Sequence, residues 1–173
     1  MENKKILMVI ADRDFRDEEY LVPKEIFQDD ALEVVTANLS GEEAEGTGGA
    51  KVQVDISLEQ VVISDYDAIV LVGGMGAKDY FDNSFINQMV KDAYSLGKII
   101  GAICLAPVIL ANAGILKGKK ATCSNGYQTV LESMGAIFSG KEVEIDGKII
   151  TANGPLASEN FARAIAKLLA QEE

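Results

Sequence analysis

Lys98-Ile-Ile-Gly-Ala-Ile-Cys104-Leu-Ala-Pro107 is the stretch of this chain whose reading decides the fold. Lys98–Ile103 has the length and near-continuous apolar character of a strand buried on both faces. Leu105 to Ala113 carries a helical pattern, and Gly114 closes it as a C-terminal signal. Pro107 falls in the first helical turn, where its missing N–H would be unpaired anyway. With no loop residue between strand and helix, Cys104 occupies a nucleophile elbow, the turn that lifts one side chain out at the top of a sheet. A sulfur at a helix N-terminus meets the positive end of its dipole, which favours thiolate. An ordinary packed cysteine stays open as the alternative, because free Cys is among the most buried residue types.

Outward from this stretch the same rhythm repeats. Ile6–Ile10 reads as a strand, followed by an amphipathic helix from Glu18 to Gln28 with Pro23 near its first turn. Leu32–Thr36 and Asp67–Val72 are strands, and the latter runs into Gly73-Gly74-Met75-Gly76. Phe85–Leu96 is helical, and Lys120–Cys123 and Val143–Ile145 are short strands. Asp146-Gly147 signals a hairpin turn into Lys148–Thr151, and Ser158–Leu169 forms the last helix. Ser40 to Ala50, with four glycines and three glutamates, reads as an exposed loop. Alternating strands and helices predict a mostly parallel sheet covered on both faces, in one α/β domain spanning residues 1–173.

The composition restricts the chemistry. The 173 residues include no histidine, which removes triads and cysteine dyads that run through imidazole, and imidazole-dependent zinc sites. Acid-base work falls to carboxylates, thiols, lysines or tyrosines. A formal charge of -11 argues against a nucleic-acid surface and against an anionic membrane. Met1-Glu-Asn-Lys-Lys has the look of a signal n-region, but the apolar run Ile6–Ala11 ends at Asp12-Arg13-Asp14, too short for a span. The expectation is a cytoplasmic protein whose two cysteines are thiols.

In an open parallel sheet, ligands bind beyond the carboxyl ends of the strands, where Asp12–Glu19, Gly73–Gly76 and Cys104 fall. The N–H groups of Gly74 and Leu105 are placed to form an oxyanion hole. A tight strand-to-helix turn stays open for the glycines; a dinucleotide fingerprint fails for want of its third glycine and its acid. Asp17-Glu18-Glu19 opens a helix, where carboxylates complement the dipole. Any one of the three facing the cleft beside a sulfur would have its pKa raised and could donate a hydrogen bond to thiolate.

Five segments in order resemble the ThiJ/PfpI superfamily: Glu19-Tyr-Leu-Val-Pro23, Ile69–Gly74, Gly101–Pro107 with Ile109-Leu-Ala111, Gly118–Thr122, and Ile149–Pro155 with Phe161-Ala162. That superfamily holds the parkinsonism-associated protein deglycase and the archaeal intracellular peptidases, within the class I glutamine amidotransferase-like folds. The resemblance implies a flavodoxin-like three-layer sandwich, usually a homodimer, needing no metal or organic cofactor. It assigns Cys104 as the elbow nucleophile, Glu19 as the acid on its sulfur, and Gly74 and Leu105 as the oxyanion positions.

The departures concern the missing imidazole. A histidine follows the cysteine in the peptidase branch, where this chain has Leu105. In the branch of the parkinsonism-associated protein a histidine lies on the strand after the elbow helix, where Ser124 falls here, beside Cys123. Strand neighbours point to opposite faces, so one of Cys123 and Ser124 at most should reach the pocket. Cys123 is either packing or a resolving thiol for an oxidised Cys104. The expected function is cysteine-dependent glyoxalase- or deglycase-like chemistry on a small electrophilic substrate, a hydrolase or lyase working without histidine. An oxidative-stress sensor or chaperone with little turnover is the alternative, and an intracellular peptidase ranks below both.

Overall fold

The computed structural model describes residues 3–172, so Met1 and Glu2 of the n-region-like start and Glu173 lie outside the described residues. In chain order the elements are β1 (Lys5–Val9), β2 (Arg13–Phe15), α1 (Asp17–Asp29), β3 (Glu33–Asn38), β4 (Ala44–Gly46), β5 (Lys51–Val52) and β6 (Ile56–Ser57). Then come β7 (Ala68–Leu71), α2 (Ser84–Ser95), β8 (Ile99–Ile103), α3 (Pro107–Asn112), β9 (Lys120–Ala121), α4 (Gln128–Ser133) and β10 (Ile137–Phe138). The chain ends in the hairpin β11 (Val143–Asp146) and β12 (Ile149–Ala152), then α5 (Ser158–Gln171). Among the described residues no helix is long and apolar enough to cross a membrane.

Seven strands form the main sheet in the order β11-β12-β8-β7-β1-β3-β6, parallel except for the β11–β12 hairpin. The parallel run β3-β1-β7-β8-β12 is the flavodoxin-like order, in which the crevice lies where the winding reverses between β1 and β7. One apolar layer packs α1 and α5 against Ile6, Met8, Val70 and Ile103. The other packs α2 and α3 against Leu7, Val9, Ile69 and Leu71. Neighbouring residues of β1 and β7 therefore feed opposite layers, which is why these strands read as continuous apolar runs.

Three expectations need correction. The helix after Cys104 starts at Pro107, not Leu105, so the elbow is a three-residue turn of Cys104, Leu105 and Ala106. Lys120–Cys123 is strand only to Ala121, and β9 pairs with β10 in a small separate sheet. Ser40–Ala50 is largely exposed but is not simply a loop. Its β4 pairs parallel with β2 and antiparallel with β5, making a three-stranded annex.

Phe15 holds that annex to the body. It is fully buried, meets the Tyr20 ring edge-on at 5.7 Å, and contributes roughly 2–3 kcal/mol by leaving water. The Tyr20 hydroxyl in turn shares a 2.7 Å hydrogen bond with the buried Thr36 hydroxyl of β3. On its other side β2 lies against the turn after β7, where a Cβ on Gly76 would stand 1.9 Å from the Arg13 carbonyl oxygen. Gly76→Ala is therefore expected to push β2 off the sheet end. We expect a loss of about 2 kcal/mol or more, read as a lower urea midpoint at unchanged m-value. An unchanged midpoint would show that the annex is not held by this contact.

Candidate active site

Three backbone segments converge at the carboxyl ends of β1, β7 and β8. Glu19, in the first turn of α1, is fully buried. Its Oε2 accepts the Gly73 N–H at 3.1 Å, while the buried Oε1 has no hydrogen-bond partner among the described residues, and the Cys104 thiol lies close enough to influence the carboxyl's titration. A Cβ on Gly73 would stand 2.6 Å from Glu19 Oε2 and 2.8 Å from Cys104 Cβ, so only glycine lets carboxyl and thiol approach. Pro23 lies inside α1, in its second turn, and lacks the N–H that would otherwise bond the Glu19 carbonyl.

Cys104 has φ 64°, a left-handed conformation that costs a non-glycine residue about 1–2 kcal/mol. Two backbone hydrogen bonds hold it there. Its N–H donates to Ala152 at 2.9 Å, and its carbonyl accepts the Ser124 N–H at 2.8 Å. The half-buried sulfur faces the Glu19 carboxyl, the Ser124 hydroxyl and the Gly74 N–H. The Leu105 N–H has no acceptor among the described residues.

The sulfur opens on a cleft of about 240 Å³ whose lining includes Glu19, Gly74, Leu105 and Ser124. Cys123 is turned away into the α2/α3 layer, 2% exposed, with its thiol 3.4 Å from the Ser124 carbonyl. Both cysteines are free thiols. Among the described residues no cluster of three or more His, Cys, Asp or Glu side chains could hold a metal.

Thr47, Tyr127 and Pro155 line the cleft but escaped sequence reasoning, while Arg16 and Met75 fall in segments expected at the strand ends without a role assigned to them. Thr47 arrives through Asp17, whose carboxylate accepts the N–H groups of Gly48 and Ala50, each at 3.2 Å. Thr47 N–H also donates to the Phe15 carbonyl at 2.9 Å. The three acids that open α1 thus have three different tasks. Asp17 fastens the annex, Glu18 pairs with Arg16 at 2.9 Å, and Glu19 turns inward to the sulfur. Nothing local separates them. The distinction lies in partners drawn from residues 47–50, 73 and 104.

Burial dominates the titration of the site. It pushes the Glu19 carboxyl up to about 7, against the opposing pull of the Cys104 hydrogen bond, the Gly73 N–H and the Arg16 charge. It pushes the Cys104 thiol up to about 11, reinforced by the Glu19 charge and opposed by the Ser124 hydroxyl and the Gly74 N–H. Cys123 rises to about 12, again by burial first. The expectation that a helix dipole favours the Cys104 thiolate is overturned: α3 is six residues long, begins three residues beyond the sulfur, and is outweighed by desolvation. The raised Glu19 carboxyl agrees with the expectation for an acid desolvated beside a sulfur.

Residues 4–168 match the profile of the DJ-1/PfpI family. This chain belongs to that family. An uncharacterised protein of Methanocaldococcus jannaschii is 41% identical over 98% of this chain and 84% of its own length. The protein named protein/nucleic acid deglycase 2 of Escherichia coli is 32% identical over 96% of this chain and 98% of its own. A ThiJ/PfpI domain protein from Brachyspira murdochii superposes with a TM-score of 0.97 at 29% identity, each chain covered completely. The DJ-1/PfpI fold is thus present without histidine anywhere in the sequence.

The Glu19 carboxyl has a pH signature. In the folded protein it titrates at about 7, against an ordinary 4.5, so the folded state retains a proton that the unfolded chain has released. The sign follows: stability from this group is complete below about 4.5 and is lost as pH rises to about 7. The loss is on the order of 3 kcal/mol at full exposure of the effect. Urea unfolding between these limits should show that decline in the native sequence and a flatter profile in Glu19→Gln. Equal slopes in the two proteins would refute the assignment.

Proposed function

We propose that this DJ-1/PfpI protein is a cysteine-dependent glyoxalase or deglycase in which Cys104 and Glu19 form a histidine-free acid-base pair. The observation that carries the reading is Glu19 Oε1. It is a fully buried carboxyl oxygen with no hydrogen-bond partner among the described residues, set beside an elbow thiol at the bottom of a cleft. The pair sheds its first proton near pH 7 and keeps the second to about 11. Through the neutral range the remaining proton sits mainly on Sγ, and its transfer to Glu19 gives the reactive minor form. With that proton on Oε1, the sulfur is a thiolate receiving hydrogen bonds from Glu19, Ser124 and Gly74.

With a 2-oxoaldehyde the atoms balance as follows. Cys104 Sγ adds to the aldehyde carbon, the C=O electron pair moves to oxygen, and the Glu19 proton neutralises that oxygen, giving a hemithioacetal. Glu19 carboxylate then removes the proton on the former aldehyde carbon. The resulting enediol is reprotonated on the neighbouring carbon, which leaves a thioester of a 2-hydroxy acid. Water cleaves the thioester and restores the thiol. Carbon one is oxidised, carbon two is reduced, and the net reaction adds one water. The Gly74 and Leu105 N–H groups are assigned to the developing oxyanion. Ser124 orients the sulfur and cannot replace an imidazole as base.

The deglycase name of the Escherichia coli relative supports glycated adducts as substrates in the same chemistry. The net charge of -11 disfavours tracking along a phosphate backbone but leaves a single exposed adduct able to enter the cleft. Cys123 is buried on the far layer and takes no part. The fully exposed Leu156, next to the cleft residue Pro155, supports the proposal of a homodimer closed near this mouth. Methylglyoxal consumption with lactate formation should fall to background in Cys104→Ser. In Glu19→Gln, kcat should drop on the order of 100-fold with the fold retained. Comparable turnover in Cys104→Ser would exclude the mechanism, and absence of turnover in the native protein would favour a sensor or binding role.

A further inference from the structure

Arg16 takes no step in the chemistry above, yet among the described residues that line the Cys104 cleft it is the one cationic side chain. Its backbone is fixed, the N–H donating to the Gly73 carbonyl at 3.0 Å. Its side chain is 45% exposed, and Nε is engaged by Glu18 at 2.9 Å. Among the described residues, its two Nη groups donate no hydrogen bond, although the guanidinium as a whole is paired with Glu18. Lys78 adds a second positive charge nearby. Its Nζ sits 6.0 Å over the ring of Tyr127, which also lines the cleft. Otherwise the walls are uncharged, apart from Glu19, which is protonated below about 7.

We infer that the cleft selects a carbonyl compound carrying a carboxylate, held by the Arg16 fork while its carbonyl carbon reaches Cys104 Sγ. The inference rests on the reading of Cys104 as the nucleophile. Two considerations point to an anionic substrate. A planar guanidinium with both Nη groups unpaired offers the parallel N–H pair that a carboxylate accepts. A protein of charge -11 repels small anions at a distance, so their capture needs a cation in the cleft wall, where Arg16 is placed. Glu18 opposes this by occupying Nε and cancelling part of the charge. Arg16 acts here on specificity, without touching the reacting atoms.

Iodoacetate and iodoacetamide test this because they are matched in size and differ in charge. Each forms the Sγ–CH2 bond as the C–I bond breaks and iodide leaves, and mass spectrometry of the Cys104 peptide gives both rates. The ratio of the two rates divides out any change in the thiol itself. In Arg16→Gln the iodoacetate-to-iodoacetamide ratio should fall roughly three- to fivefold, the scale of an exposed ion pair. Arg16→Lys should restore part of it, Glu18→Gln should raise it, and added salt should lower it in the native protein more than in Arg16→Gln. A ratio unmoved by Arg16→Gln, with Cys104 labelled by both reagents, would overturn the anion site and leave the nucleophile intact. Failure of both reagents to label Cys104 would remove the nucleophile reading, and the anion site with it.

Discussion

A carboxyl group with no exposure to solvent constrains everything around it. Desolvating an ionised carboxylate is expensive, so the group must be hydrogen-bonded, remain protonated, or both. Glu19 does both. One oxygen takes the Gly73 N–H, and the other is left without a hydrogen-bond partner beside the Cys104 thiol, which favours the protonated form. Satisfying it requires that the first turn of α1, the turn after β7 and the elbow after β8 meet within hydrogen-bonding distance. The absence of a Cβ at residue 73 and the left-handed backbone at Cys104 are both consequences of that approach.

The same convergence couples the annex to the chemistry. Phe15 is a buried anchor between charged neighbours, and it draws β2 against the glycine turn that also carries Gly74. The Arg16 N–H to Gly73 carbonyl bond closes the join from the other side. Asp17 then holds the glycine-rich arch over the cleft by two backbone N–H groups, placing Thr47 in its wall. A stretch with almost no apolar content is thereby ordered by a carboxylate some thirty residues earlier in the chain.

The parallel sheet and the elbow cysteine were legible because their signals are local. Buried parallel strands must be apolar on both faces, and a strand running almost directly into a helix leaves room for only a short turn, here Cys104–Ala106. The annex was not legible because β4 and β5 are only three and two residues long, and the β2 strand that docks β4 lies far back in the sequence. Charge effects were the least legible. A dipole argument from a strand-helix junction predicts a lowered thiol, but it omits how much water the folded site removes.

Composition alone established that no imidazole takes part, because a residue absent from the chain is absent from every conformation of it. Apolar periodicity likewise determined the layered α/β architecture, since a buried face must be matched by another. Which of Asp17, Glu18 and Glu19 meets the sulfur, which of Cys123 and Ser124 turns toward the cleft, and that Arg16 stands at its mouth were decided only by the tertiary structure. Each of those outcomes depends on contacts between residues far apart in sequence. Their energies arise from burial and proximity, which come into being when the sheet closes and its strand ends are brought together.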